Sequence, residues 1–198
     1  MNPAGSVSFV LALIILGLPP ALAQDHGGVP MRDHSPGVSE VPASPYAGMQ
    51  KRLVKALSDQ QIADLKAGRG MSLALAAELN GYPGPLHVLE MTDALGLSDN
   101  QLTRTKALFE AMKAETIPIG ERIIADETAF DRLFAERTVT PASLETATSR
   151  IGADQTELRT AHLRYHLAMV DVLSPEQIVR YAKLRGYAEP GSQDDETH

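Results

Sequence analysis

The chain has 198 residues, a formal net charge of −7, 43% hydrophobic residues, 5% aromatic residues, and neither Cys nor Trp. That length admits one domain of ordinary size plus tails. The lack of Cys excludes a disulfide framework, a thiol nucleophile, Cys-ligated zinc and iron–sulfur clusters, and the acidic balance excludes nucleic acid as a main partner, because a phosphate backbone needs a basic surface.

Residues 1–23 have the pattern of a secretory signal peptide. An apolar run from Phe9 to Leu18 is followed by Pro19-Pro20 and then by Ala21-Leu22-Ala23, the small-residue pattern that a signal peptidase accepts. The run is shorter than the roughly 20 apolar residues of a membrane span. The expected cleavage after Ala23 assigns the protein to the periplasm and leaves Gln24-Asp25-His26 at the new N-terminus. A free amine, two backbone amides and the His26 imidazole then form a square-planar nitrogen set for Cu(II) or Ni(II). Cyclisation of Gln24 would remove the amine donor. Residues 24–45 are rich in Gly, Pro, Ser and charge and are expected to be a disordered linker. Residues 188–198 are polar and acidic and are expected to be a disordered tail.

The stretch 46–187 reads as a single all-α domain, since alternating Val/Ile/Thr runs are missing. Its core must be built from Leu, Ala, Ile, Val and Met. Three places carry Leu-Ser-x-x-Gln: Leu57-Ser58 with Gln61, Leu97-Ser98 with Gln101, and Leu173-Ser174 with Gln177. The physics is a capping box. The Ser hydroxyl accepts from the N–H three residues on, and the Gln side chain reaches back to the Ser N–H. The Leu before each Ser predicts a hydrophobic staple to Ile62, Leu102 and Ile178. Helices therefore start at Ser58, Ser98 and Ser174, the last with Pro175 at its first position.

The other boundaries follow in order. A helix over about 69–79 stops at Asn80-Gly81. After the stiff turn Tyr82–Pro85 a short helix runs to near Gly96. The helix from Ser98 reaches about Arg137, with a kink expected at Pro118. Thr140 caps the next helix, Pro141 takes its first position, and it reaches about Val172. Leu144, Ala147, Ile151, Asp154, Leu158, Ala161, Tyr165, Ala168 and Val172 give that helix a narrow coiled-coil-like seam. The two long helices form an antiparallel hairpin joined near 138–141, with short flanking helices. Their stripes are thin, so a second copy is expected to complete the burial in a homodimer.

The signal peptide, the helical hairpin and the repeated Leu-Ser-x-x-Gln resemble the Spy/CpxP superfamily, known for Leu-Thr-x-x-Gln motifs, and its periplasmic heavy-metal resistance and sensor relatives. The resemblance covers about 86–186, with Leu97 and Gln101, and Leu173 and Gln177, on the motif's Leu and Gln. Ser stands where that family has Thr, and the segment 46–85 is an addition. The resemblance implies a cradle-shaped helical dimer that holds unfolded envelope proteins without ATP, or a metal-responsive form of that scaffold. Docking on a membrane sensor protein is a third implied partner. The motif itself reads as structural, because a good cap contributes about 1 kcal/mol to a helix start.

Two sets of residues carry binding. Met112, Ile117, Ile119, Ile123 and Phe130 are candidates for an apolar client-binding surface, or else are hairpin core. His162 and His166, one turn apart, and Met169, three further on, share one side of their helix and could chelate copper, nickel or zinc beside the buried seam. His87, Glu90 and Met91 on the short helix are candidates to complete that site. No enzyme pattern is present. His162-Leu163-Arg164-Tyr165-His166 has Leu where a zincin needs Glu, and no Gly-rich phosphate loop or Gly-x-Ser-x-Gly occurs.

Overall fold

A computed structural model describes residues 44–187. The signal peptide, the His26 site, the linker up to residue 43 and the acidic tail lie outside the described residues. After a short 3-10 turn at Met49–Lys51, the chain forms α1 (Asp59–Lys66), α2 (Leu75–Glu78), α3 (Pro85–Glu90), α4 (Thr92–Leu95), α5 (Asp99–Ala135), α6 (Pro141–Val170) and α7 (Pro175–Leu184). The described residues contain no strand. No described helix is long and apolar enough to cross a membrane.

Each Leu-Ser-x-x-Gln copy opens a helix by the expected reciprocal pair. Ser58 Oγ accepts from the Gln61 N–H at 3.1 Å and Gln61 Oε1 from the Ser58 N–H at 2.9 Å. The same two bonds occur at Ser98 with Gln101 and at Ser174 with Gln177. Thr140 caps α6 in the same way with Ser143 in the Gln position. The second and third copies do more than cap. Gln101 Nε2 donates to the Val172 carbonyl at 2.9 Å and to Gln177 Oε1 at 2.7 Å, and Gln177 Nε2 returns a bond to Gln101 Oε1 at 3.2 Å. The motif thus ties the start of α5 to the start of α7. Gln61 is exposed and makes only its cap.

The α5–α6 hairpin is the main contact of the fold. Two apolar clusters anchor the shorter pieces to it. Val54, Leu57, Ile62 and Leu65 pack on Ile119, Ile123, Leu158 and Ala161, which docks α1 across the middle of the hairpin. The approach is close, because a Cβ at Gly120 would lie 2.6 Å from the Leu65 carbonyl oxygen. Val88, Leu95, Met169, Val172, Leu173 and Tyr181 form the second cluster, which gathers α3, α4 and α7 at the open end. Arg150 with Asp126 (2.6 Å), Arg122 with Asp154 (3.2 Å) and Arg164 with Glu115 (2.9 Å) cross from α6 to α5. Asp154, the polar break in the seam, is buried and answered by Arg122.

Three expectations need correction. The helix over 69–79 shrinks to Leu75–Glu78. Between Gly68 and Ala74 the chain turns instead, with Met71 at φ 43° and Ser72 at φ 64°, and Gly70 lies against the His162 ring. Tertiary contact overrides helix propensity there. The helix after Pro85 breaks at Met91 (φ −121°, ψ 24°) into α3 and α4. α5 runs from Asp99 to Ala135 as expected, with Pro118 inside it. Ala114 and Pro118 are both exposed, so the carbonyl that loses its donor is open to water. The seam of α6 is buried at Ile151, Asp154, Leu158 and Ala161, but beyond Ala161 the buried positions are His162, His166 and Met169 rather than Tyr165 and Ala168. A straight helix drifts against a 3.5-residue repeat, and the Gly68–Pro85 segment covers the face to which the stripe has moved.

Candidate metal centre

α6 carries His162 and His166 under that covering segment, at 2% and 8% exposure. His162 Nδ1 lies 3.0 Å from the Leu158 carbonyl oxygen, one turn back on its own helix. His166 Nδ1 lies 2.7 Å from the Tyr82 carbonyl oxygen. A carbonyl only accepts, so each Nδ1 carries a proton and donates, and in the neutral form of such a ring the lone pair sits on Nε2. His87 on α3 follows the same rule, with Nδ1 2.9 Å from Glu90 Oε2. Metal-binding imidazoles are oriented in this way, one nitrogen donating to an oxygen and the other free for the ion.

His162, His166, His87 and Met112 line one cavity of ≈ 350 Å³. Its walls are bare where they meet the rings. A Cβ at Gly84 would lie 2.9 Å from His166 Cε1 and 3.1 Å from Nε2, and one at Gly70 would lie 3.6 Å from His162 Cδ2. His162 Nε2 is buried and has no hydrogen-bond partner. An orphaned acceptor of this kind costs about 1–3 kcal/mol. Neutral imidazoles with free Nε2 lone pairs, a glycine-walled cavity and a nearby thioether fit a soft or borderline metal ion.

Glu78 on α2 is a buried candidate beside His166 that the sequence reading did not single out. Its Oε1 accepts a short hydrogen bond from the Tyr181 hydroxyl and a longer one of 3.2 Å from the Tyr187 hydroxyl, with Arg185 Nε at 3.6 Å. Its Oε2 is buried without a hydrogen bond, 3.7 Å from His166 Nδ1. Glu78 therefore lies on the Nδ1 side of the His166 ring without a hydrogen bond to it, and is itself bonded to Tyr181 of α7. The one available signal was a lone charge in the otherwise uncharged run Met71–Leu79. Burial holds the His166 pKa below its ordinary value of 6.5, outweighing the Tyr82 bond and the Glu78 charge, which act upward, while His162 and His87 reinforce the lowering. Burial, followed by the Glu78 hydrogen bond, pushes the Tyr181 hydroxyl far up.

The other sequence candidates separate. Met169 is fully buried in the second apolar cluster, against Val88 and Leu95, and does not line the cavity; Met91 packs on that same cluster. Helical spacing put Met169 on the correct side of α6, but a neighbouring element seals it from the imidazoles. His87 reaches the cavity rim, and Glu90 orients it from an exposed position. Among the described residues no three His, Asp or Glu side chains gather closely enough to hold one ion. Of the client-surface candidates, Met112, Ile119 and Ile123 are buried in this chain's own interior, so an exposed client surface is not formed by them. Their spacing on α5 faces α6 and α1, which bury them. Ile117 and Phe130 remain partly exposed.

A family model described as heavy-metal resistance matches residues 72–180. The matched stretch begins earlier than the expected 86, at the turn before α2, and so takes in Glu78 as well as His87, Met112, His162 and His166. It leaves out α1 and the first motif copy. No curated protein and no solved structure matches the chain.

Proposed function

The chain belongs to the heavy-metal resistance family, a Spy/CpxP-like group, and from that membership we propose that it is a periplasmic heavy-metal-binding protein whose site is built on His162 and His166. One observation carries the reading: two buried imidazoles, each with its Nδ1 proton committed to a backbone carbonyl, line a single cavity. Burial and hydrogen bonding hold both rings in place before the ion arrives, which lowers the ordering cost of binding. Glu78 adds a negative charge 3.7 Å from His166 Nδ1, without a hydrogen bond to it. The activity is binding without bond-making chemistry. Calorimetric titration with copper, nickel and zinc tests it. Affinity lost in His162→Ala and His166→Ala supports the site, and affinity unchanged in both rejects it.

A second reading, the holding of unfolded envelope proteins, is favoured by a different feature. The closed end of the hairpin carries a cleft of ≈ 580 Å³ lined by Phe130, Leu133, Ala129 and Ala142, with Phe134 and Leu144 exposed nearby. Exposed apolar surface of that kind suits weak docking of unfolded chain. Suppression of aggregation of a denatured client, weakened by Phe134→Ser, is the expected result. No suppression at stoichiometric excess counts against this reading and leaves the metal site untouched.

A further inference from the structure

We infer that the cavity beside α6 takes a soft monovalent cation, Cu(I) or its analogue Ag(I), held by His162 Nε2, His166 Nε2 and the thioether of Met112. This rests on the metal reading above and specifies its cargo and its third donor. Met112 comes from α5, is nearly buried, and lines the same cavity as both imidazoles. Sequence spacing had pointed to Met169 for this role, and that sulfur is sealed in the other cluster.

Three considerations select the ion. The first is the donor inventory. Structural zinc takes four ligands in a tetrahedron, and Cu(II) or Ni(II) takes a square plane of nitrogen and oxygen. The described residues gather no three His, Asp or Glu side chains for either geometry. Two imidazoles and a thioether are instead a three-donor set of the soft kind that Cu(I) accepts. The second is charge. The charged members of the cavity are Arg69 and Lys113, and Glu78 lines the adjoining pocket that shares His87 and His166 with it. The nearby carboxylate of Glu78 faces the protonated Nδ1 side of His166, with one oxygen already committed to Tyr181 and Tyr187. Desolvation grows with the square of the charge, so a dication costs about four times as much to bury as a monovalent ion. Neutral imidazoles and a neutral thioether leave that cost unanswered for a dication. The third is the sulfur itself. Thioethers contribute little to hard cations and select soft ones.

The experiment uses the full chain in a His26→Ala background, so that the N-terminal donors take no part. Cu(I) affinity is measured anaerobically by competition with a chromophoric Cu(I) chelator, Ag(I), Zn(II) and Ni(II) by calorimetry, and the copper shell by X-ray absorption. Met112→Leu conserves core volume and should fold normally. The expected result is tighter binding of Cu(I) and Ag(I) than of Zn(II) or Ni(II), a sulfur in the copper shell, and a Met112→Leu variant that loses the sulfur and about 10–100-fold in Cu(I) affinity. Undiminished Cu(I) affinity in Met112→Leu, or an all-nitrogen copper shell, overturns the inference. Zn(II) or Ni(II) bound more tightly than Cu(I), with dependence on His162 and His166, also overturns it and keeps the metal reading. Binding of every ion retained in His162→Ala and His166→Ala removes both.

Discussion

The Gly84→Ala substitution isolates the cavity wall. Gly84 sits at φ −85° and ψ 144°, extended backbone open to any residue, so the new methyl adds no backbone strain. Its effect is steric. The Cβ would lie 2.9 Å from His166 Cε1, while ordinary contact begins at 3.4 Å, so the ring must move by about 0.5 Å (3.4 − 2.9). That ring is held by a 2.7 Å bond to the carbonyl of Tyr82, two residues upstream of the methyl, so the movement strains the bond that fixes the tautomer. Overpacking costs about 1–3 kcal/mol, offset by about 0.4–1 kcal/mol from the stiffer unfolded chain. A net loss of about 1–2 kcal/mol in urea denaturation is expected, together with a fall of about 10-fold or more in metal affinity, since a displacement of about 0.5 Å is the tolerance of a preorganised site. Gly152→Ala is the control. Nothing lies within 4 Å of its Cβ and it is inside α6, so it should stabilise by about 0.5–1 kcal/mol and leave metal affinity unchanged. A folded Gly84→Ala protein that binds metal as tightly as the parent would refute the placement of the ion at His166 Nε2.

Three further outcomes follow from the same geometry. Gln101→Ala should destabilise by about 2–3 kcal/mol, because it removes a cap and takes a side-chain donor from the Val172 carbonyl and the Gln101 bonds from Gln177, which keeps Leu95, Gly96 and Ser174, whereas Gln61→Ala should cost only about 0.5–1 kcal/mol; equal losses by chemical denaturation would contradict the α5–α7 tie. Tyr181→Phe takes from the buried Glu78 carboxylate its closest donor and should cost about 1–3 kcal/mol, with hydrogen exchange rising in α7 ahead of α6; uniform exchange across both helices would count against Glu78 as the link. For His166 the folded pKa lies below 6.5, so as pH falls the unfolded chain binds the proton first. Stability from the buried neutral ring is therefore present above pH 6.5 and is lost as pH falls through the folded pKa. Denaturation midpoints measured from about pH 7.5 to about pH 5.5 should drop less in His166→Gln than in the parent, and parallel curves would disprove the assignment.

What was legible in the sequence is what short-range chemistry decides. A capping box is settled within four residues, so Ser58, Ser98, Thr140 and Ser174 could be read as helix starts without knowing any neighbour. The hairpin followed from two long capped periods and a short joint. The Gly68–Ala74 turn was not legible, because Met71 and Ser72 take left-handed backbone only under tertiary constraint. Nor was the depth of the histidines. Their spacing gave a shared side of α6, but a drift of one position relative to the seam moved them from its flank into the interior. Met112 lines the same cavity from α5 and Glu78 lies near His166 from α2, and no spacing along α6 encodes which foreign helix comes close.

The burial of the two imidazoles fits function better than stability. A leucine at either place would extend the apolar stripe of Ile151, Leu158 and Ala161 and leave no orphaned Nε2 behind. Instead the chain accepts about 1–3 kcal/mol at His162 and wraps the polar stretch with Gly68–Pro85, where glycines stand against both rings. That wrap leaves a cavity where close packing is the rule. It also carries Glu78, hydrogen-bonded to Tyr181 and Tyr187, to 3.7 Å from His166 Nδ1. The orphaned His162 nitrogen, the close glycine contacts and the carboxylate beside His166 are the observations on which the proposed ion site rests.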